Sequence, residues 1–550
     1  MIQRRQNGEP VSEGRSQDRA PRETSGVREA VGVVDGSMSG KGSDVNTGDL
    51  SGQTGVEAVL QPRLRPAGVR AVVGAEKSGN ADGAKGGRKA EASNLINRET
   101  ASAPVPSGDK QAEQALWDHY KAQRGVWSEK MLMALETGIK GKKWFSLIDK
   151  VMSEKTLQLA WEKVKSNAGG CGVDEITIKR FAKGSQKRLL AVKEQLEQGV
   201  YLPQPVKRVW IPKAGSREKR PLGIPAVKDR VVQTALRMVI EPIFERQFAP
   251  QSYGFRPGRG CKDALREMER QLKDGRNHVV DEDIKGYFDS IPHKRLMDLL
   301  KETIADGRVL KLLEAYLQQG VMEKEGKVEE PGSKGTPQGA VVSPLLANVY
   351  LNPLDWLINQ LGMTMIRYAD DMVILCRSRQ EAQQALARLK RWCEEAGLVV
   401  HPEKTKVVDM GQPGAHFDFL GYRFRRNIGN GQLRRFIRPK SLKGIRGRIK
   451  PLTRRANGRS LLEILETINP ILRGVYGYFQ HAQRGQLEAL DGWVRGRLRG
   501  ILRKRHGGKG RGQGQDHFKW PNHYFEAQGL FSLTRARELT LISLRQGEHC

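Results

Sequence analysis

The stretch Arg367-Tyr368-Ala369-Asp370-Asp371-Met372-Val373-Ile374-Leu375 decides how the rest of the chain is read. Met363-Thr364-Met365-Ile366 before it and Met372-Val373-Ile374-Leu375 at its end have the composition of short buried strands, so the pattern predicts a hairpin with two carboxylates at its turn. At such a turn the alternation of faces loosens, and neighbouring side chains can reach toward one point. Two like charges held there in partial burial are costly unless a cation sits between or beside them. Magnesium, a hard ion that prefers carboxylate oxygen and keeps room for substrate phosphates, is the expected cation. By itself an Asp-Asp pair is an ordinary solvated turn.

A second acidic element changes that reading. His278-Val279-Val280-Asp281-Glu282-Asp283 reads as a strand ending in acid, with Asp281 and Asp283 on one face; Asp289 follows after a turn, and a helix is expected from near Pro292. If that strand lies beside the hairpin, Asp283 joins Asp370 and Asp371 around one site. Three carboxylates holding two divalent ions suit in-line nucleotidyl transfer, with one ion at the attacking hydroxyl and the other at the leaving pyrophosphate. A third element, Gly335-Thr336-Pro337-Gln338-Gly339, predicts a compact turn entering an apolar helix with Ser343 as N-cap and Pro344 at its first position. Gly339, lacking a Cβ, suits close approach of a base or of strand backbone.

The 550 residues suffice for cores that need no disulfide or metal staple. With 94 Lys and Arg against 62 Asp and Glu, the net charge of +32 points to a polyanionic partner, nucleic acid before membrane. No apolar run is long enough to span a bilayer and the N-terminus lacks a secretory segment, so a cytoplasmic protein with no membrane partner is expected. Cys171, Cys261, Cys376, Cys393 and Cys550 lie far apart with no Cys-x-x-Cys pair, which argues against a disulfide framework or structural zinc.

Residues 1–110, rich in Gly, Ser, Ala, Arg and Glu and almost without aromatics, are expected to form a disordered leader. Order begins from Gln111, where Leu116, Trp117 and Tyr120, then Trp127, Met131, Leu132 and Leu135, recur at helical spacing. Val206 to Ile224 reads as a basic β-hairpin and Asp229 to Phe248 as a helix. Residues 421–450 hold eleven Arg and Lys and no acid, a run suited to phosphate contacts. Ser460 with Glu463 makes a capping box, and a further basic run covers 495–506.

In order along the chain, Arg220-Pro-Leu-Gly-Ile-Pro, Tyr253-Gly-Phe-Arg-Pro-Gly-Arg, Asp283-Ile-Lys-Gly-Tyr-Phe-Asp, Thr336-Pro-Gln-Gly, Tyr368-Ala-Asp-Asp, His401-Pro-Glu-Lys-Thr and Phe419-Leu-Gly-Tyr resemble the motifs of group II intron-encoded reverse transcriptases, over roughly residues 110–520. The resemblance implies an α+β right-hand polymerase fold. Fingers and palm would occupy 111–430, a helical thumb or maturase domain 431–490, and a basic nucleic-acid-binding tail 491–550. It implies that Asp283, Asp370 and Asp371 are catalytic and carry two Mg2+ ions. Phe288 matches an aromatic gate against a ribose 2′-hydroxyl, with a core phenylalanine as the other reading. Lys213 and Arg220 match contacts to the incoming triphosphate, although Lys207, Arg208, Arg217 and Lys219 crowd the same segment. Lys404 matches a lysine near the leaving pyrophosphate or is simply exposed after a turn. Gln338 would touch nucleotide or template, Gly339 and Tyr368 would lie along primer and template, and Phe419, Leu420 and Gly421 would form the primer grip.

From the acid-free run, Arg434, Arg435, Lys440, Lys443, Arg446, Arg448 and Lys450 are expected on RNA, while Tyr476, Tyr478 and Phe479 either stack on bases or pack between helices. The tail holds His506, His517, His523, His549 and Cys550 without the paired cysteines of the endonuclease found in many family members, so second-strand cleavage is not expected. The expected activity is RNA-directed DNA polymerisation joined to a splicing maturase role. Its partners would be group II intron RNA, a DNA target, primer–template duplex and dNTPs, in a bacterial cytoplasm and at the nucleoid during insertion. The alternatives are a retron-like or diversity-generating reverse transcriptase without a splicing role, and a splicing factor with a vestigial polymerase site.

Overall fold

The computed structural model describes residue 120 and residues 126–547, apart from 140, 142, 213–218, 324–325, 331 and 428. The expected leader, the helical signal at Leu116 and Trp117, Lys213, Arg217 and Cys550 lie outside the described residues. Among those described, the strands are β1 (Val206–Pro212), β2 (Lys219–Ile224), β3 (His278–Asp283), β4 (Val321–Met322), β5 (Val328–Glu329), β6 (Thr364–Tyr368), β7 (Asp371–Cys376), β8 (Lys406–Asp409), β9 (His416–Phe419), β10 (Tyr422–Arg426) and β11 (Leu433–Ile437).

Three sheets result. The basic hairpin β1/β2 is antiparallel as expected, and β1 extends it by running parallel to β4 in the order β2-β1-β4-β5. The central sheet, β6-β7-β3-β8, is antiparallel throughout, and β11-β10-β9 forms a three-stranded meander.

The central sheet is buried on both faces, which accounts for the unbroken apolar run of β7. Val280, Met372, Ile374 and Cys376 pack into one core with the helices Val227–Glu245, Ser343–Gln360 and Arg379–Glu395. Val279, Ile366, Val373 and Leu375 pack on the other side, with helix Cys261–Lys273, the meander and the C-terminal helices. Asp281, Asp283 and Asp371 continue this second face by strand parity, at the end where apolar residues give way to acid.

Several expected boundaries move. The helix read as Asp229 to Phe248 runs Val227–Glu245. Ser343 is the first helical residue rather than the N-cap, which is Val342. The N–H groups of Val341 and Val342 are met by the Gln233 side chain, and the Ser343 hydroxyl donates instead to Pro337 O at 3.0 Å. The capping box of Ser460 and Glu463 is present. The expected division at 490/491 falls inside the helix Arg484–Arg505, because Leu487, Leu490, Val494, Leu498 and Ile501 form one buried stripe across it. The division at 430/431 falls in the turn joining β10 to β11. Tyr476 and Tyr478 hydrogen-bond to Ala536 O and Leu420 O, and Phe479 packs on Tyr422, so these aromatics pack between elements. Cys171, Cys261, Cys376 and Cys393 are free thiols. Among the described residues no helix is long and apolar enough to cross a membrane.

Candidate active site

Tyr368 pairs with Asp371 across the β6/β7 hairpin, leaving Ala369 and Asp370 as the turn, with Ala369 at φ +61°. That left-handed conformation strains a residue with a side chain and needs support. Arg367, fully buried at 0% exposure, provides it: the guanidinium grips Asp355, and its Nη1 donates to Asn348 Oδ1 at 2.8 Å and to Ala369 O at 2.9 Å.

A second brace comes from the Tyr253-Gly-Phe-Arg-Pro-Gly segment. Tyr253 N–H donates to Arg367 O at 2.8 Å, and Asn348 Nδ2 donates to Gly254 O at 2.8 Å. A Cβ on Gly254 would overlap the backbone nitrogen of Ala369. The segment is folded around buried Arg256, which reaches Glu245 at 2.8 Å and the carbonyls of Ala249 and Ser252 at 2.7 Å.

Asp283 stands directly opposite Asp371 in the β3/β7 register, so the two side chains share a face, and Asp281 lies two residues back on it. Burial first, then Asp281 and Asp370, push the Asp371 carboxyl up to about 7, while the Leu420 N–H and Arg438 oppose the rise. Asp370 is raised by burial and by Asp283, against Arg220 and Arg367. Asp281 is pushed up to about 6 by burial, then by Asp418. The adjacent aspartates therefore feel different charges: Asp370 those of Asp283, Arg220 and Arg367, Asp371 those of Asp281, Asp370 and Arg438 together with the Leu420 N–H.

The His401-Pro-Glu-Lys-Thr segment closes the opposite side. His401 N–H donates to Asp283 O at 2.8 Å, Lys404 Nζ is paired with the Asp283 carboxylate, and Thr405 donates to Glu282 at 3.0 Å. Glu282 points to the buried face, where burial pushes it up to about 7. Among the described residues no three Asp, Glu, His or Cys side chains converge to ligate one ion. The donor set itself is all oxygen and crowded with like charge, with the Asp370 and Asp371 carboxyls raised toward the neutral acid, which fits a hard divalent cation rather than zinc.

The Thr336-Pro-Gln-Gly turn spans β2 and the short helix Tyr287–Ser290. Thr336 N–H donates to Phe288 O at 2.7 Å, Gly223 N–H to Gln338 O at 2.7 Å, and Gln338 Nε2 to Asp289 at 3.3 Å. A Cβ on Gly339 would lie 2.6 Å from Gly223 O, so its close approach is to strand backbone. Phe288 is half-buried, its ring edge-on to Phe255 with centroids 6.4 Å apart. Tyr368 is half-buried beside Cys261.

The Phe419 side chain is buried in the core, leaving Leu420 and Gly421 as the turn; Leu420 has φ +46°, Gly421 φ +82°, and Tyr478 caps the Leu420 carbonyl at 2.7 Å. Of the residues expected on RNA, Lys440, Lys443, Arg448 and Lys450 are exposed on helix Pro439–Leu452 and Arg434 is half-buried on β11. Arg435 instead pairs with Glu269 at 3.1 Å, and Arg446 lies over the Trp493 ring at 5.7 Å. Both departures follow from partners far away in sequence.

The sequence reading did not identify Arg367, Asp355, Asn348 and Gly254 as parts of this site, nor the Leu420 N–H. An arginine inside an otherwise apolar strand was the one visible signal. Asp355 and Asn348 sit within an apolar helix and gave none.

Palm sheet, acidic turn and basic fingers hairpin together define a template-directed polymerase fold. Residues 211–424 match the family described as "Reverse transcriptase (RNA-dependent DNA polymerase)", and residues 442–519 match "Group II intron, maturase-specific domain". The chain is 35% identical over 252 residues to the group II intron-encoded protein LtrA of Lactococcus lactis subsp. cremoris, covering 46% of this chain and 40% of LtrA. It is 33% identical over 304 residues to protein YkfC of Escherichia coli (strain K12), covering 48% of this chain and 78% of YkfC. Among solved structures, it resembles a partial Cas6-RT-Cas1--Cas2 complex (24% identity, 46% of this chain and 41% of that one, TM-score 0.31) and telomerase from Candida albicans (14%, 58% and 63%, 0.34). The chain belongs to the family of group II intron-encoded reverse transcriptases and maturases. Nucleotidyl transfer by reverse transcriptase domains depends in general on divalent metal ions.

Proposed function

We propose that the chain is an RNA-directed DNA polymerase and splicing maturase of a mobile group II intron, polymerising at Asp283, Asp370 and Asp371. The observation that carries this reading is the register setting Asp283 opposite Asp371, with Asp370 in the adjoining turn. These carboxylates would hold two Mg2+ ions, which when bound supply the charge that activates a primer hydroxyl and neutralises pyrophosphate.

The chain's own groups do the rest. Arg220, whose charge is felt at Asp370, binds the incoming triphosphate, and Lys404, beside Asp283, donates to the departing pyrophosphate. Phe288, set edge-on to Phe255, walls the sugar pocket against a 2′-hydroxyl. The Leu420-Gly421 turn holds the primer end and steadies Asp371. Lys440, Lys443, Arg448 and Lys450 bind intron RNA phosphates. The partners are that RNA, its DNA target, primer–template duplex and dNTPs, met in the cytoplasm and at the nucleoid during insertion.

The test is primer extension with dNTPs on an RNA template in magnesium. Asp370→Ala is expected to lose activity by about three orders of magnitude while keeping RNA affinity. Undiminished extension by that variant would remove the assignment.

A further inference from the structure

Beyond the polymerase site, the segment Arg503 to Trp520 presents one side chain that the fold does not use. The short helix Gly514–Lys519 is tightly held: Asp516 accepts from Gln513 N–H at 2.7 Å and from Arg503 Nη1 at 2.6 Å. Trp520 N–H donates to Asp516 O at 3.0 Å, and Trp520 O accepts from Arg499 Nε at 2.8 Å. Trp520 is buried and stacks face to face on His506, with centroids 5.3 Å apart and planes 5° apart. Asp516 and Trp520 are both buried, one helical turn apart, so residue 518 midway between them faces outward. Phe518 stands there 87% exposed, more than any other large apolar side chain among the described residues.

A single exposed apolar side chain needs no explanation on its own; its setting supplies the argument. Between Asp491 and Glu526 the sequence has nine Lys and Arg and one acid, Asp516, which is neutralised by Arg503. The same carboxylate ties the basic loop to the Phe518 helix, and Lys504 in the last turn of helix Arg484–Arg505 and Lys509 and Arg511 on the loop after it are exposed. Charge complementarity selects a polyanion. A rigidly presented phenyl ring amid that charge selects one with an accessible base face, which a single strand offers and a closed duplex hides.

We propose that Phe518 is a stacking platform for an unpaired nucleobase, with Lys504, Lys509 and Arg511 engaging the neighbouring phosphates. This rests on the nucleic-acid-binding part of the proposed function and adds a site to it outside the polymerase centre.

The experiment is fluorescence anisotropy of the full chain with labelled oligothymidylate, labelled oligouridylate and a blunt DNA duplex at one salt concentration. Phe518→Ala is expected to weaken single-strand binding about tenfold while changing duplex affinity by less than about twofold, and Phe518→Trp to restore it. The oligothymidylate and oligouridylate arms distinguish a DNA strand from an RNA strand. The side chain is exposed, so the variant keeps the parent's thermal midpoint and extends a short annealed primer at the parent's rate. Loss of polymerase activity in the parent would count against the polymerase reading, not against this one. Equal single-strand affinity of parent and Phe518→Ala overturns the proposal, as does equal weakening for duplex. A concentration-dependent dimer that Phe518→Ala abolishes also overturns it, assigning the ring to a contact between copies.

Discussion

Asp371 makes the stability of this fold depend on pH. Its carboxyl is pushed up to about 7, by burial first and then by Asp281 and Asp370, whereas an unfolded aspartate titrates near ~3.9. Between those values the folded chain binds more protons than the unfolded one, so the stabilisation is full below about pH 4 and is lost as pH rises toward 7. Asp281, at about 6, and Asp370 act with the same sign. A divalent cation favours the ionised forms and reverses the penalty. Millimolar magnesium is therefore expected to raise the thermal midpoint by about 2–4 °C at pH 8 and to leave it unchanged at pH 5, with no response in the double variant Asp370→Asn, Asp371→Asn. Differential scanning fluorimetry checks this, and an equal shift at both pH values would contradict it. At this scale the acids were legible because carboxylates at a strand end and a hairpin turn announce themselves. What each one faces was not, since it depends on the Leu420 N–H and on Arg220 and Arg438 reaching across from other elements.

At the level of elements, the acidic turn is a product of its neighbours. Three residues with side chains at positive φ, Phe255, Ala369 and Leu420, belong to the segments that meet here, and such strain persists only where surroundings over-determine it. The Tyr253-Gly-Phe-Arg-Pro-Gly segment supplies much of that constraint through Gly254, whose missing Cβ lets it lie on the Ala369 backbone. Gly254→Ala must displace main chain on one side, so it is expected to destabilise by about 2–4 kcal/mol and to lower kcat more than RNA affinity. Gly260→Ala, where the added Cβ meets only Asp263 Oδ2 at 3.7 Å, is expected to cost less than about 1 kcal/mol. Urea unfolding with single-turnover extension separates the two variants, and matching losses would mean that the Gly254 contact does not brace the turn. The hairpin β6/β7 and the strand β3 were readable from apolar runs ending in acid. The cap before Ser343 was not, because Gln233, more than a hundred residues away, supplies the acceptor that a local reading assigned to the serine.

Across the whole molecule, net charge of +32 was legible as a count, but its deployment was not. Arg435 is drawn into a buried pair with Glu269 and Arg446 onto the Trp493 ring, while Lys440, Lys443, Arg448 and Lys450 remain exposed on helix Pro439–Leu452. Arg425 stands opposite Arg434 across β10/β11, a like-charge pairing that is unfavourable unless an anion lies nearby. These two populations of basic residues have separable consequences. Replacing Lys440, Lys443, Arg448 and Lys450 together by Ala is expected to weaken RNA binding and to flatten the slope of log affinity against log salt by about 3, with the thermal midpoint unchanged, because exposed cations release counterions from phosphate and do little for the fold. Arg435→Ala is expected to do the reverse: it leaves half-exposed Lys273, at 3.1 Å, to balance the buried Glu269, costing about 1–2 kcal/mol of stability, and keeps the parent's salt slope. Salt titrations of RNA binding paired with urea unfolding read both effects at once. An unchanged slope in the fourfold variant would reduce this helix face to solvated charge, whereas a reduced slope in Arg435→Ala would place that arginine back on the RNA.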